Sequence, residues 1–210
     1  MHTCSTASLL VLVLLLGGLP APVQAQQDLA PGEVLPSLGE TLRRMDGTRV
    51  SPRRLGGAEG TVFLFWSNRC PWVEKYYGRI DSLASRYEGR GIQFVLVNAN
   101  DAQAAAVESL GASRRHADEQ GYELPYVRDP SAQLARTLGA ARTPSVFVFG
   151  NDWSLRYRGA IDDSPGLPAQ TGRSYLRAVL EALTADETVP YRSTPSFGCT
   201  LKYPEDASPE

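Results

Sequence analysis

Cys70 is the residue of this sequence best placed for chemistry. It follows the apolar run Val62-Phe63-Leu64-Phe65-Trp66 and stands directly before Pro71, after which Val73, Tyr76, Ile80, Leu83, Ala84 and Tyr87 recur at three- and four-residue spacing. The run is short and rich in aromatic and β-branched residues, so it reads as a buried strand, and the spacing after it reads as a helix with one core-facing stripe. Proline suits the first helical position, where its missing N–H would have had no partner. Cys70 is therefore expected on a strand-to-helix turn, where free N–H groups and the helix dipole favour a thiolate. Cysteines so placed have pKa values lowered from about 8.5 to roughly 3.5–7.5. Such a thiolate can attack a disulfide or be oxidised by a peroxide. The other cysteine beyond the apolar N-terminal stretch is Cys199, within Ser196-Phe197-Gly198-Cys199-Thr200.

Of the 3 cysteines in the chain, Cys4 precedes an unbroken apolar stretch from Leu9 to Leu16. Residues 1–25 contain no Lys, Arg, Asp or Glu, the stretch is too short to span a bilayer, and Val23-Gln24-Ala25 fits a signal-peptidase site. A signal peptide over residues 1–25 is expected, cleaved before Gln26, with export to a periplasmic or extracellular compartment and loss of Cys4. Disulfides persist there, so Cys70 and Cys199 are equally able to form a permanent structural bridge. The 21 basic and 23 acidic residues leave a net charge of −2, and the pairs Arg43-Arg44, Arg53-Arg54 and Arg114-Arg115 are scattered. No nucleic-acid partner and no stable membrane span are expected. His116, among Arg114, Arg115, Asp118 and Glu119, reads as a surface residue. With no second histidine beyond the leader and no cysteine cluster, no metal is expected, and no cofactor is implied.

The elements that must position the thiols follow from the pattern. Pro31, Pro36 and several glycines mark an approach segment, with Met45-Asp46-Gly47-Thr48 turning an N-terminal hairpin. The strand at Val62, the helix at Pro71 and a second apolar strand, Ile92 to Val97, suggest a parallel βαβ unit. A helix is expected over Asp101 to Gly121 with an irregularity at Gly111, a short strand within Tyr122 to Arg128, and a short helix from Pro130 to Leu138. Ser145 to Phe149 reads as a strand entered through Thr143-Pro144. Leu155 to Gly159 alternates as a half-exposed antiparallel strand should. Tyr175 to Leu183 marks a final amphipathic helix, and from Glu187 the chain reads as a flexible Pro-rich tail.

This arrangement resembles the thioredoxin fold over about Val34 to Leu183. It is similar in particular to redoxin-domain proteins of the alkyl hydroperoxide reductase and thiol-specific antioxidant superfamily. Trp66, Cys70 and Pro71 match the cysteine turn of those proteins, and Arg142-Thr143-Pro144 matches their cis-proline loop. A narrower bacterial subfamily carries an NxCPxV turn, a YRGxIDD segment and a GCxxKW or GCxxKY tail; here these are Asn68 to Val73, Tyr157 to Asp163, and Gly198 to Tyr203. The resemblance implies an α/β thioredoxin-like domain over residues 26–186, with a central mixed sheet flanked by helices, an N-terminal hairpin, and a C-terminal tail over 187–210 carrying Cys199. It also implies Cys70 and Cys199 as the catalytic thiols. Trp66, Pro71, Trp72, Thr143 and Pro144 would then shape the surface that receives a thiol or disulfide protein partner, or a peroxide.

The departures narrow the chemistry. Val73 stands where a CxxC pair has its second cysteine, so Cys70 cannot be resolved by its immediate neighbour. Arg69 replaces the tryptophan of thioredoxins and puts a cation beside the sulfur. The peroxiredoxin pattern PxxxTxxC is half met, with Ser67 at the Thr position and Phe63 at the proline. Three readings remain open at this level. The first is thiol-disulfide exchange, with Cys199 resolving and Asn68, Arg69 or Lys75 assisting. The second is a thiol peroxidase in which Ser67 and Arg142 polarise the peroxide. In the third, a non-catalytic binding module, the two cysteines are a staple and Asp162-Asp163 contributes to a partner surface.

Overall fold

The structure, a computed structural model, describes residues 28–204; the expected leader and Cys4 lie outside the described residues. The elements in chain order are β1 (Leu42–Arg44), β2 (Arg49–Val50), β3 (Gly60–Phe65), α1 (Pro71–Glu88), β4 (Ile92–Asn98), α2 (Leu110–Gln120), β5 (Tyr126–Arg128), α3 (Gln133–Leu138), β6 (Arg142–Thr143), β7 (Ser145–Gly150), β8 (Leu155–Gly159), α4 (Tyr175–Thr184) and β9 (Cys199–Thr200). Seven of the strands form one mixed sheet in the order β2-β1-β5-β4-β3-β7-β8, and β6 and β9 form a separate pair. β3 is central, parallel to β4 and antiparallel to β7. The fold is the thioredoxin-like α/β architecture with a mixed sheet.

The continuous apolar character of β3 has a physical cause. Side chains alternate across a sheet, and both faces here are covered. Val62 and Leu64 face a core shared with Val73, Tyr76 and Ile80 of α1 and Leu176, Val179 and Leu180 of α4. Phe63 and Phe65 face the opposite core, with Leu134 and Leu138 of α3, Leu29 and Leu35 of the approach segment, and Leu201 from the C-terminal end. The β3–α1 connection is thus held between two cores, which fixes where Cys70 emerges.

Two expectations change. The helix expected from Asp101 begins at Leu110, because the Asp101 carboxylate accepts the N–H groups of Gln103 and Ala104 and turns the chain there. A short 3-10 turn, Ala106–Glu108, follows, and the Ser109 hydroxyl accepts from Ala112 N as the N-cap of α2. The irregularity expected around Gly111 is the start of the helix itself, one residue before it. The tail, read as flexible, is docked. Leu201 is buried, the Leu201 N–H donates to Ala141 O at 3.0 Å, and Lys202 O accepts from Asp101 N at 2.8 Å.

Asp129 organises the start of α3 by accepting from Gln133 N at 3.0 Å and Ala135 N at 2.9 Å. Burial pushes its pKa up to about 6, against the pull of those N–H donors. In the unfolded chain an aspartate titrates near about 3.9, so between about 4 and 6 the folded state holds the extra proton, and the contribution of this group to stability falls as pH rises through that window. Asp129→Asn should flatten this dependence: the change in unfolding free energy between pH 4 and pH 7, measured with urea, is expected to differ from wild type by about 2–3 kcal/mol. An unchanged pH dependence would contradict the assignment.

Candidate active site

Cys70 is the N-cap residue of α1, in extended conformation, with Pro71 at the first helical position as the sequence predicts. The turn before it is fastened from below by Glu108, which is 1 % exposed. This carboxylate accepts from Ser67 Oγ at 2.7 Å, from the Asn68 backbone N–H at 3.1 Å and from Asn98 Nδ2 at 2.7 Å. Asn68 is tied in turn: its Nδ2 donates to Val107 O at 2.7 Å and to Ser113 Oγ at 2.9 Å, and its Oδ1 accepts from the Tyr126 hydroxyl at 2.6 Å. Burial drives the Tyr126 pKa far up, so the hydroxyl remains a neutral donor. In a low-dielectric interior a satisfied network of this kind is rigid, because each group that loses a partner has none to replace it. Glu108, Asn98, Ser113 and Tyr126 were not legible as site residues. They come from four separate segments, and only the polar pair Ser67-Asn68, placed just after a buried strand, hinted that partners were needed.

The opposite wall is the loop carrying Thr143-Pro144, whose peptide bond is cis. Thr143 is buried, and its carbonyl oxygen lies 3.1 Å from Cys70 Sγ. β6 on this loop pairs antiparallel with β9 of the tail, Arg142 opposite Thr200 and Thr143 opposite Cys199. That register brings Cys199 onto Cys70 across 129 positions of sequence, with the Cα atoms 6.1 Å apart and the two sulfurs joined in a disulfide. Gly198 is obligatory here: its φ is +147°, and a Cβ would overlap the Thr143 carbonyl. Phe197, 52 % exposed, sets its ring edge-on to Trp72 at 4.8 Å.

The tail is anchored on both sides of this segment. Upstream, Thr194 N donates to Arg158 O, and the Thr194 hydroxyl meets the Tyr157 hydroxyl at 2.6 Å and accepts from Ala160 N at 3.0 Å. Any side chain at Gly159 would collide with Thr194. Downstream, Lys202 N donates to Asn100 Oδ1 at 3.1 Å, and the Tyr203 hydroxyl donates to Ala140 O. The motif residues Tyr157, Gly159 and Tyr203 therefore serve to seat the tail.

Of the residues expected to receive a partner, Pro71 is exposed, Trp72 is half-buried, and Thr143 and Pro144 line the loop against Cys70. Trp66 is not at the surface. It is fully buried, its Nε1 donating to the Tyr122 hydroxyl at 3.2 Å, so it shapes the site only from underneath. Ser67 turns toward Glu108, and Arg142 Nη1 donates to the Gly198 carbonyl at 3.2 Å. Asn68 is structural, and Lys75 lies over the Trp72 ring at 4.7 Å. Asp162 is buried, accepting from the Tyr76 hydroxyl and paired with Arg79, so it belongs to the interior and not to a partner surface. His116 is half-buried against Tyr122. A cavity of about 300 Å³ opens beside the disulfide, lined by Arg69, Cys70, Asp101, Glu108, Cys199 and Lys202. Cys70 is 2 % exposed and Cys199 is half-buried, so the bridge is reached mainly from the Cys199 side. When the bridge opens, charge left on Cys70 Sγ is favoured by the N-terminus of α1.

The AhpC/TSA family model matches residues 31–158. No curated protein matches the chain. Among solved structures, an uncharacterized conserved protein from Geobacillus kaustophilus is 32 % identical with a TM-score of 0.76, the match covering 84 % of this chain and 94 % of that one. A hypothetical protein from Sinorhizobium meliloti 1021 is 29 % identical, also with a TM-score of 0.76, over 85 % and 97 % of the two chains. A candidate thiol:disulfide interchange protein DsbE from Chlorobium tepidum shares the fold at 20 % identity and a TM-score of 0.53, over 62 % and 85 %.

If Glu108 holds the cysteine turn, Glu108→Ala takes the acceptor from Ser67 Oγ and the Asn68 N–H, leaves Asn98 Nδ2 only its contacts to Ser113 and Tyr126, and should cost about 3 kcal/mol in denaturant unfolding. Glu108→Gln keeps one acceptor oxygen and should cost about half of that. Equal, negligible losses for both would refute the role.

Proposed function

The chain belongs to the AhpC/TSA family, and on that premise we propose that it is an exported thiol-disulfide oxidoreductase in which Cys70 attacks and Cys199 resolves. The observation that carries this reading is the register of β9 on β6, which sets Cys199 opposite Thr143 and its sulfur on Cys70. In the reduced protein the Cys70 thiolate attacks a partner's disulfide. A Cys70–partner bond forms, and the other partner sulfur leaves as a thiolate. Cys199 then attacks Cys70 Sγ, the internal disulfide forms, and the remaining partner sulfur departs with the electron pair. The partner disulfide is reduced, the protein's two thiols are oxidised, and an external dithiol returns the protein to its starting state.

Peroxide reduction needs groups that polarise an O–O bond at the sulfur. The two candidates point elsewhere, Ser67 to Glu108 and Arg142 to the tail carbonyl, which favours exchange. A disulfide between the two cysteines also suits an oxidising compartment and thus supports export. Among the described residues no helix is long and apolar enough to cross a membrane.

The test is turnover of a glutathione–peptide mixed disulfide with dithiothreitol as reductant. Wild type should turn over, and Cys70→Ser should lose activity by about a hundredfold or more; with dithiothreitol removed after reduction, Cys199→Ser should stall as a mixed disulfide that peptide mapping places on Cys70. Faster oxidation of the reduced protein by hydrogen peroxide than by any disulfide would overturn the assignment in favour of a peroxidase. A Cys70 no more reactive than free cysteine toward both would leave the bridge as a staple.

A further inference from the structure

We infer that the tail segment Ser196 to Thr200 occupies the place of the physiological substrate, and that the substrate class is therefore an extended protein segment of the form aromatic-Gly-Cys. The inference rests on the exchange reading above and specifies what that site recognises.

β6 has β9 as its strand partner among the described residues, and this pairing is made through the main chain at two positions. Main-chain pairing accepts any extended segment of matching register, with specificity supplied by the alternate side chains. The tail shows what those side chains must be. The cysteine stands opposite Thr143, since a one-residue slip would carry its sulfur to the other face. The residue before it is glycine, because a Cβ there would overlap the Thr143 carbonyl, and Arg142 Nη1 grips the carbonyl of that same residue at 3.2 Å. One step further back is an aromatic ring, seated edge-on against Trp72 at 4.8 Å. A purely structural staple has no use for Phe197, which remains 52 % exposed and, among the described residues, makes that single ring contact. A recognition residue has: the contact is gained whenever an aromatic side chain arrives beside Trp72.

The anchors complete the cycle. Thr194 upstream and Leu201 to Tyr203 downstream hold the tail while Pro195 to Thr200 gives way to the incoming segment. The tail therefore stays close by at high effective concentration. When Cys199 attacks Cys70 Sγ, the bond from Cys70 to the partner sulfur breaks, the partner leaves as a thiolate, and β9 returns to β6 in place of the partner's strand. Covalent resolution and release of the product are one strand exchange.

The test uses full-length Cys199→Ser protein and three peptides, Ser-Phe-Gly-Cys-Thr, Ser-Phe-Ala-Cys-Thr and Ser-Ala-Gly-Cys-Thr, each capped on its cysteine as a mixed disulfide with thionitrobenzoate. Release of the coloured thiol gives the rate, and peptide mapping places the adduct on Cys70. The first peptide should react at least about tenfold faster than the second, and about three- to tenfold faster than the third. Adding Gly198→Ala, which keeps the tail from seating, should speed the first peptide several-fold. Equal rates for the three peptides, with Cys70 still fast toward dithiobisnitrobenzoate, would overturn the inference and leave the exchange reading intact. A Cys70 no faster than free cysteine toward that small disulfide would overturn both.

Discussion

Two residue pairs, Arg142 with Thr200 and Thr143 with Cys199, join the loop before β7 to a segment more than fifty positions further along the chain. The candidate site depends on this short ladder. It sets the register that brings one sulfur to the other, demands glycine at position 198, and turns a surface loop into one wall of a closed site. A bridge across 129 positions also removes a large part of the freedom of the unfolded chain, worth about 4–5 kcal/mol in the chain-entropy account. The native state gives up little for it, since Thr194 and Leu201 already hold the tail on either side.

The two sulfurs are held in different ways, and the difference suits their proposed tasks. Cys70 follows a strand packed between two cores, and its turn is fastened to Glu108, Asn98 and Tyr126 inside the molecule. Moving it would unpair several buried polar groups together, at a cost of about 1–3 kcal/mol each. Cys199 is half-buried at the outer strand of a two-residue ladder, and lifting it disturbs far less. A rigid attacking sulfur facing a displaceable one fits an exchange cycle in which the helix N-terminus stabilises the thiolate at a constant position.

Replacing the second cysteine of a CxxC pair by Val73 has consequences along the rest of the chain. Val73 is packed into the core beneath α1, so the helix contributes no resolving thiol. In the proposed cycle the task falls to Cys199 of the tail, which must then be held in place. Tyr157, Gly159 and Tyr203, which look in the sequence like marks of a subfamily, are the residues that hold it. Asp162 has a separate structural use: it pairs with Arg79 and accepts from Tyr76, fixing the segment after β8 against α1.

By itself the sequence determined what local chemistry governs. The β3–α1 turn, the hairpin at Asp46-Gly47, the alternation of β8 and the amphipathic α4 are set by period, turn residues and caps, and these depend on near neighbours. Cys70 and the Thr-Pro loop were legible for the same reason. Only the tertiary structure decided what depends on residues distant in sequence. It closed the Glu108 network from four segments, and it started α2 at Leu110 because the Asp101 carboxylate competes for the N–H groups that would have continued the helix. It also showed the expected mobile tail as a docked strand, since its partner β6 lies on a loop more than fifty positions away that only the folded chain brings beside it.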